Sequence, residues 1–285
     1  MVISRRQIRW LLLSPAGLWY IALLLLPLLV VFIYSFGERG ATGGYAPGFS
    51  LAQYANLPSR WTAFKNTLML APAGMIAALA IAYPLAYFLA VRVGPKWKTL
   101  LLVLVIVPFW TSILIRSYAW IFLLGARGIP QLLHDLGLGD VRLLNTPFAV
   151  LIGIVYGYLP LMVFPIYVSL EKLDKRLLEA AGDLGAPPWR RFWQVTVPLS
   201  LPGVATGSML VFILLMGEYL IPQMLGGGKV FFVGNALVDL FLQSRNWAFG
   251  SAVSMTLVAI MLIVVALYMR LLRRIGAARE SVGLI

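Results

Sequence analysis

Six apolar runs alternate with polar and glycine-rich segments along the chain, at residues 11–36, 67–91, 99–124, 147–170, 198–221 and 248–269. At a rise of about 1.5 Å per residue, roughly 20 apolar residues cross the hydrocarbon core of a bilayer, and every run reaches that length. Pro27, Pro72, Pro84, Pro108, Pro160 and Pro165 interrupt the runs. In water such prolines would break helices; in a membrane bundle, neighbouring helices and side chains satisfy the freed carbonyls, so the pattern predicts kinks and not breaks. The predicted architecture is all-α and polytopic, with six transmembrane helices.

Composition agrees with this reading. Of 285 residues, 61% are hydrophobic and only 12% charged, with a mean hydropathy of +0.91. A soluble globular chain carries about a quarter charged residues. The absence of cysteine excludes a disulfide scaffold, a thiolate metal site and a thiol nucleophile. The single histidine, His134, excludes a His-Glu-x-x-His zinc motif and reads as a surface residue beside Asp135, so neither a metal site nor a catalytic constellation is expected.

The net charge of +13 follows from topology. With the N-terminus inside, Lys and Arg number three in the leader, three at residues 92–98, five at 172–191 and four from Arg270 onward, fifteen in all. The opposite loops hold seven: Arg39, Arg60, Lys65, Arg127, Arg142, Lys229 and Arg245. That bias places both termini in the cytoplasm and leaves no call for a nucleic-acid partner. Ser4-Arg5-Arg6-Gln7-Ile8-Arg9 looks like a twin-arginine signal, but the run behind it is too long for a signal core and lacks an Ala-x-Ala site, so it reads as a basic flank.

One inner loop, 171–197, is dense in charge and amphipathic. Leu173, Leu177, Ala181 and Leu184 recur at helical spacing, with Lys175, Arg176 and Glu179 on another face. Gly185 ends this helix, Pro187-Pro188 opens a second, and Pro198 opens the fifth span. Ala180, Ala181 and Gly185 allow close packing, and Glu179 offers a fixed charge. The product is a helix–turn–helix knob.

Glu179-Ala180-Ala181, three residues, Gly185, nine residues, then Val195-x-Val197-Pro198 resembles the EAA loop of ABC importer permeases, which usually ends Ile-x-Leu-Pro. The resemblance begins at Asn66-Thr67 and runs through the last span. It implies a type I ABC importer permease fold, with a leader, first helix and outer loop at 1–65, a permease core at 66–272 and a cytoplasmic tail at 273–285. Glu179, Ala180, Ala181 and Gly185 would be the coupling element, docking on a separate ATPase dimer. The chain itself would then be no enzyme and would hold no cofactor, ATP and Mg being bound by that partner. Gly226-Gly227-Gly228-Lys229 does not supply a phosphate loop, since Val230 stands where Ser or Thr must hold magnesium and Gln223 replaces the first glycine.

Pro108-Phe109-Trp110-Thr111-Ser112, Arg116-Ser117-Tyr118-Ala119-Trp120, Ser169-Leu170-Glu171-Lys172-Leu173-Asp174 and Asn246-Trp247-x-Phe249-Gly250 are similar to permeases of the spermidine/putrescine type. That likeness implies a second homologous permease subunit and a periplasmic solute-binding protein delivering a cationic amine; related permeases carry opines, 4-aminobutyrate, aminophosphonates or ferric ion. A polyamine needs carboxylates for its ammonium groups and aromatic faces for its stem. Glu218, Tyr219, Trp110, Arg116 and Tyr118 are the candidate substrate pathway. Straight-helix arithmetic sets Arg116 and Glu218 at one depth, either paired or facing water. The outer loop 223–247, with a flexible Gly226-Gly227-Gly228 hinge, Asp239 and Trp247, is the candidate docking surface for the binding protein. Gly153-x-x-x-Gly157 and Gly203-x-x-x-Gly207 allow close helix approach, to this chain or to a second subunit. An ion-coupled secondary transporter, the reading from another class, would show more spans and membrane-embedded ion ligands.

Overall fold

The computed structural model describes residues 5–282, and the side chains of residues 12–272 other than Lys175. The leader arginines and the tail arginines from Arg273 onward lie outside the described side chains. In chain order the main elements are α1 (Leu12–Tyr34), a hairpin of β1 (Glu38–Arg39) and β2 (Tyr45–Ala46), and α2 (Leu57–Arg92). There follow α3 (Pro95–Trp110), α4 (Ile113–Leu124), α5 (Ile129–Asp135), α6 (Pro147–Glu171) and α7 (Lys175–Asp183). The last are α8 (Pro188–Met216), α9 (Leu220–Gly226), α10 (Val233–Gln243) and α11 (Trp247–Val282). In the hairpin Glu38 faces Ala46 and Arg39 faces Tyr45.

Among the described residues, five helices are long and apolar enough to cross a membrane, and the count is six if α3 and its continuation form one bent span. That third run departs from expectation: it is broken, and the helices on either side diverge by 89°. Pro108 withholds a backbone donor, Thr111 Oγ1 donates to the Pro108 carbonyl at 2.7 Å, and Thr111 and Ser112 are extended. A proline followed by a threonine whose hydroxyl bonds the preceding backbone favours ending the helix there. The rise computed for a straight helix from Thr99 to Arg116 therefore does not apply. The fifth run also departs, its helix ending at Met216 with Gly217 as cap. Glu218 thus stands in a break between α8 and α9 and not inside a span.

Helix starts follow local chemistry. Thr146 Oγ1 accepts the Ala149 N–H at 3.3 Å ahead of Pro147, and Asp174 accepts the Arg176 N–H at 3.0 Å to open α7, caps worth about 1 kcal/mol each. Single π turns lie within α1, α2, α8 and α10.

The chain forms two compact units. In the first, the chain up to Trp61 joins Ala236–Leu262. Its polar ties run from the hairpin loop and the start of α2 to the end of α10: Gly44 N–H to Arg245 O at 2.6 Å, Arg39 to Ser244 O at 3.0 Å, and an Arg60–Asp239 ion pair at 2.8 Å. The apolar window of α1 is wholly exposed.

The second unit, Thr62–Asn235 with Ile263–Ile285, holds the bundle core. Ala71, Gly74, Ala78, Ala82 and Ala86 form a buried stripe of small residues on α2, and a Cβ on Gly74 would collide with Ile154 of α6. Gly203 and Gly207 of α8 lie against Pro165, Ile166, Ser169 and Met162 of α6. Gly153 and Gly157 of α6 face Leu225 and Ile221. Both glycine pairs are thus used within this chain, where they let backbones approach without side chains between them.

Candidate functional site: a projecting knob and a helix break at the opposite end

The knob is built on a closed base. Lys98 Nζ reaches Glu171 Oε2 at 2.8 Å and the Ala90 carbonyl at 3.4 Å, joining the ends of α2 and α6 beside the start of α3. From there α7 runs outward and ends in a Schellman turn, in which Gly185 N–H donates to Gly182 O at 2.8 Å and Ala186 N–H to Ala181 O at 3.0 Å. Gly185 holds φ +80, and nothing lies within 4 Å of a Cβ placed there. The glycine is needed for its left-handed backbone and not for packing inside the knob, which corrects the close-packing reason given from sequence.

Close approach is needed one turn earlier. Arg191 Nη1 comes within 3.1 Å of a Cβ built on Gly182, so the guanidinium crosses the helix where no side chain stands. Phe192 packs edge-on to Tyr83 and Tyr87 of α2, at 6.0 and 5.4 Å between centroids, and Trp193 meets Trp189 at 5.4 Å. The return helix is the start of α8 itself, so knob and span share one continuous helix.

Burial splits the expected apolar face: Leu173 and Ala181 turn partly inward, whereas Leu177 and Leu184 are exposed; outside that face, Leu178 is partly buried and Trp189 exposed. Leu184 is 89% exposed. Glu179 and Ala180 lie on the exposed surface with them. Open apolar side chains on a charged knob are the kind of patch that marks an interaction surface. Gly182, Arg191 and Lys98 were not singled out from sequence. The pattern did hold a signal for one of them, since Gly182 lies three residues before Gly185 on a helix otherwise free of glycine.

At the opposite end of the second unit lies the break after α8. Glu218 is 7% exposed. Its Oε1 accepts the N–H groups of Tyr219, Leu220 and Ile221 at 3.0, 2.8 and 3.2 Å, and its Oε2 accepts the hydroxyl of Tyr158 in α6. Asn235 Nδ2 donates to the Tyr219 carbonyl at 2.7 Å and to Gln223 Oε1 at 3.1 Å, while Thr67 Oγ1 accepts from Val233 N–H at 2.9 Å. Arg116 of α4 is not bonded to this carboxylate. Its Nε and Nη1 are buried without hydrogen-bond partners, its guanidinium lies 5.9 Å from the Tyr156 ring, and among the described residues no ion pair joins it to Glu218. Tyr158 and Asn235 escaped the sequence reading because a tyrosine in an apolar run, or a lone asparagine, looks like packing.

The remaining expected pathway residues are exposed aromatics. Trp110, at the end of α3, is 81% exposed, Tyr118 on α4 62% and Tyr219 45%. On the candidate docking surface, Asp239 is engaged by Arg60, while Trp247 is exposed with its Nε1 donating to the Phe241 carbonyl at 3.3 Å. The Gly226-Gly227-Gly228 stretch is a turn: Gly227 and Gly228 take φ of +53 and +73, and a Cβ on Gly227 would strike Asn145. His134 is exposed and lies 3.6 Å from Asp135 and 3.8 Å from Asp140.

The fold is that of ABC importer permeases. The chain belongs to the family of binding-protein-dependent transport system inner membrane components, whose model matches residues 82–280. It is 43% identical over 257 residues to the spermidine/putrescine transport system permease protein PotB of Haemophilus influenzae, covering 88% of this chain and 90% of the relative. It is 39% identical over 267 residues to PotB of Escherichia coli, covering 92% and 97%. Among solved structures, a bacterial ABC transporter involved in the import of the acidic polysaccharide alginate superposes with a TM-score of 0.74 at 17% identity, covering 95% of this chain and 97% of that one.

Proposed function

We propose that this chain is one of two homologous permease subunits of a polyamine importer, in which a periplasmic binding protein delivers spermidine or putrescine and an ATPase dimer, holding ATP and Mg, drives alternating access. The observation that carries the reading is identity of 39% and more to spermidine/putrescine permeases across nearly the whole chain. Both termini lie in the cytoplasm in this reading, supported by the bias of basic residues toward the knob side. Glu179, Ala180, Ala181 and Gly185 then face the ATPase, and the exposed rings of Trp110, Tyr118 and Tyr219 offer cation–π surfaces to a protonated amine.

Uptake of radiolabelled spermidine by the complete complex in proteoliposomes tests the substrate. Excess unlabelled putrescine should compete and 4-aminobutyrate should not; competition by 4-aminobutyrate or an opine alone would overturn the polyamine reading.

Trp247 and the exposed end of α10 would receive the binding protein. Val233, Asn235 and Ala236 are buried, while Leu242 and Gln243 are open. In this cysteine-free chain, Leu242→Cys and Gln243→Cys should crosslink to the loaded binding protein and Ala236→Cys should not. No crosslink from either exposed position, in complexes that still transport, would remove the docking assignment.

A further inference from the structure

The helix break after α8 carries an acid whose role the transport reading does not define. Each carboxylate oxygen has about two acceptor sites; Glu218 Oε1 is filled by the N–H groups of Tyr219, Leu220 and Ile221, and Oε2 takes the Tyr158 hydroxyl. The three N–H groups are those that the first turn of a helix leaves without partners, and a negative group there is favoured by the helix dipole. With the side chain 7% exposed, an approaching ammonium group would find Oε1 already occupied and would have to share the buried Oε2 with Tyr158. Arg116, the nearest candidate for a counter-charge in the sequence reading, forms no ion pair with it among the described residues.

The same bonds clamp one residue from both sides. Tyr219 N–H is held by Glu218 Oε1 at 3.0 Å, and its carbonyl by Asn235 Nδ2 at 2.7 Å. Gly234 presses against the Glu218 carbonyl and Tyr219 Cβ, leaving no room for a side chain. Asn235 is itself fixed by accepting the Phe232 N–H at 3.0 Å. The backbone of Tyr219 is therefore immobilised while its ring is left open.

We propose that Glu218 is a positioning residue: its carboxylate caps α9, bolts the break to Tyr158 of α6, and so sets where the Tyr219 ring is presented, without itself binding the transported cation. The importance of the Tyr219 ring rests on the transport reading above; the anchoring does not. Capping requires an acceptor oxygen and no net charge, because the Oδ1 or Oε1 of an amide can accept the same N–H groups. Binding an ammonium group requires the charge.

The two roles separate in Glu218→Gln and Glu218→Leu, assayed in the complete complex for spermidine uptake and, with Leu225→Cys as a reporter, for maleimide labelling in detergent. Leu225 lies in α9 and is fully buried, and its labelling needs no substrate, so a failed polyamine assignment leaves this readout intact. Glu218→Gln should keep uptake within about threefold of the parent and leave Cys at position 225 protected, since exchanging one acceptor cap for another costs little. Glu218→Leu should lower uptake about tenfold or more and expose the reporter, because buried donors lose their acceptor. Loss of uptake in Glu218→Gln, whether or not the reporter stays protected, would overturn the proposal. Parental uptake and protection in Glu218→Leu would overturn it as well.

Discussion

Gly185→Trp should leave the bundle folded while uptake and stimulation of the ATPase both fall about tenfold or more, the change expected when a bulky side chain blocks a closely docked surface. Among the described residues nothing lies within 4 Å of a Cβ at this position, so a side chain starts in open space and not against the knob. The backbone contributes separately: φ of +80 disfavours any residue with a Cβ by about 1–2 kcal/mol. Gly185→Asn controls for that strain, since asparagine tolerates the left-handed region with a small side chain. Reconstituted complexes with Gly185→Asn should retain more coupling than those with Gly185→Trp. Parental ATPase stimulation in Gly185→Trp would show that the knob tip does not meet the ATPase.

Gly203→Leu should prevent assembly altogether. A Cβ there runs into the backbone of α6, meeting the Pro165 carbonyl and coming 3.0 Å from Ile166 Cα. Backbone atoms of a packed helix cannot step aside as a flexible side chain can. Overpacking by a few methylenes typically costs about 1–3 kcal/mol where neighbours can adjust, and here the two helices must separate along their contact. Gly203→Ala should already lower the yield of monodisperse permease in size-exclusion chromatography. Gly157→Ala, whose Cβ would sit an ordinary 3.4 Å from Ile221 Cδ1, should leave it unchanged, as should Gly17→Ala, which has nothing within 4 Å. Equal yields across the three alanine variants would mean that α6 and α8 do not depend on the Gly203 contact.

What the amino-acid order determined on its own was whatever depends on length, periodicity and local backbone chemistry. Apolar runs of bilayer length, a proline at a helix start, and the spacing of Glu179, Gly185 and Pro198 are properties of neighbouring residues, so the helices, the knob and the importer class were legible before any contact was known. The third run shows where that reasoning stops. Pro108 alone predicts a kink, but an 89° turn also requires Thr111 and Ser112 to leave the helix, and the gain from doing so depends on what α4 then packs against. Glu218 makes the same point for the site. In sequence it is an acid at the end of an apolar run, equally suited to a substrate, to Arg116 or to a cap. Only the tertiary structure decided which donors surround it, because Tyr158 lies 60 residues away and Asn235 acts on the next residue from the far side of a turn. Partners distant in the chain carry no local signal, and the energy of a buried charge is set by those partners.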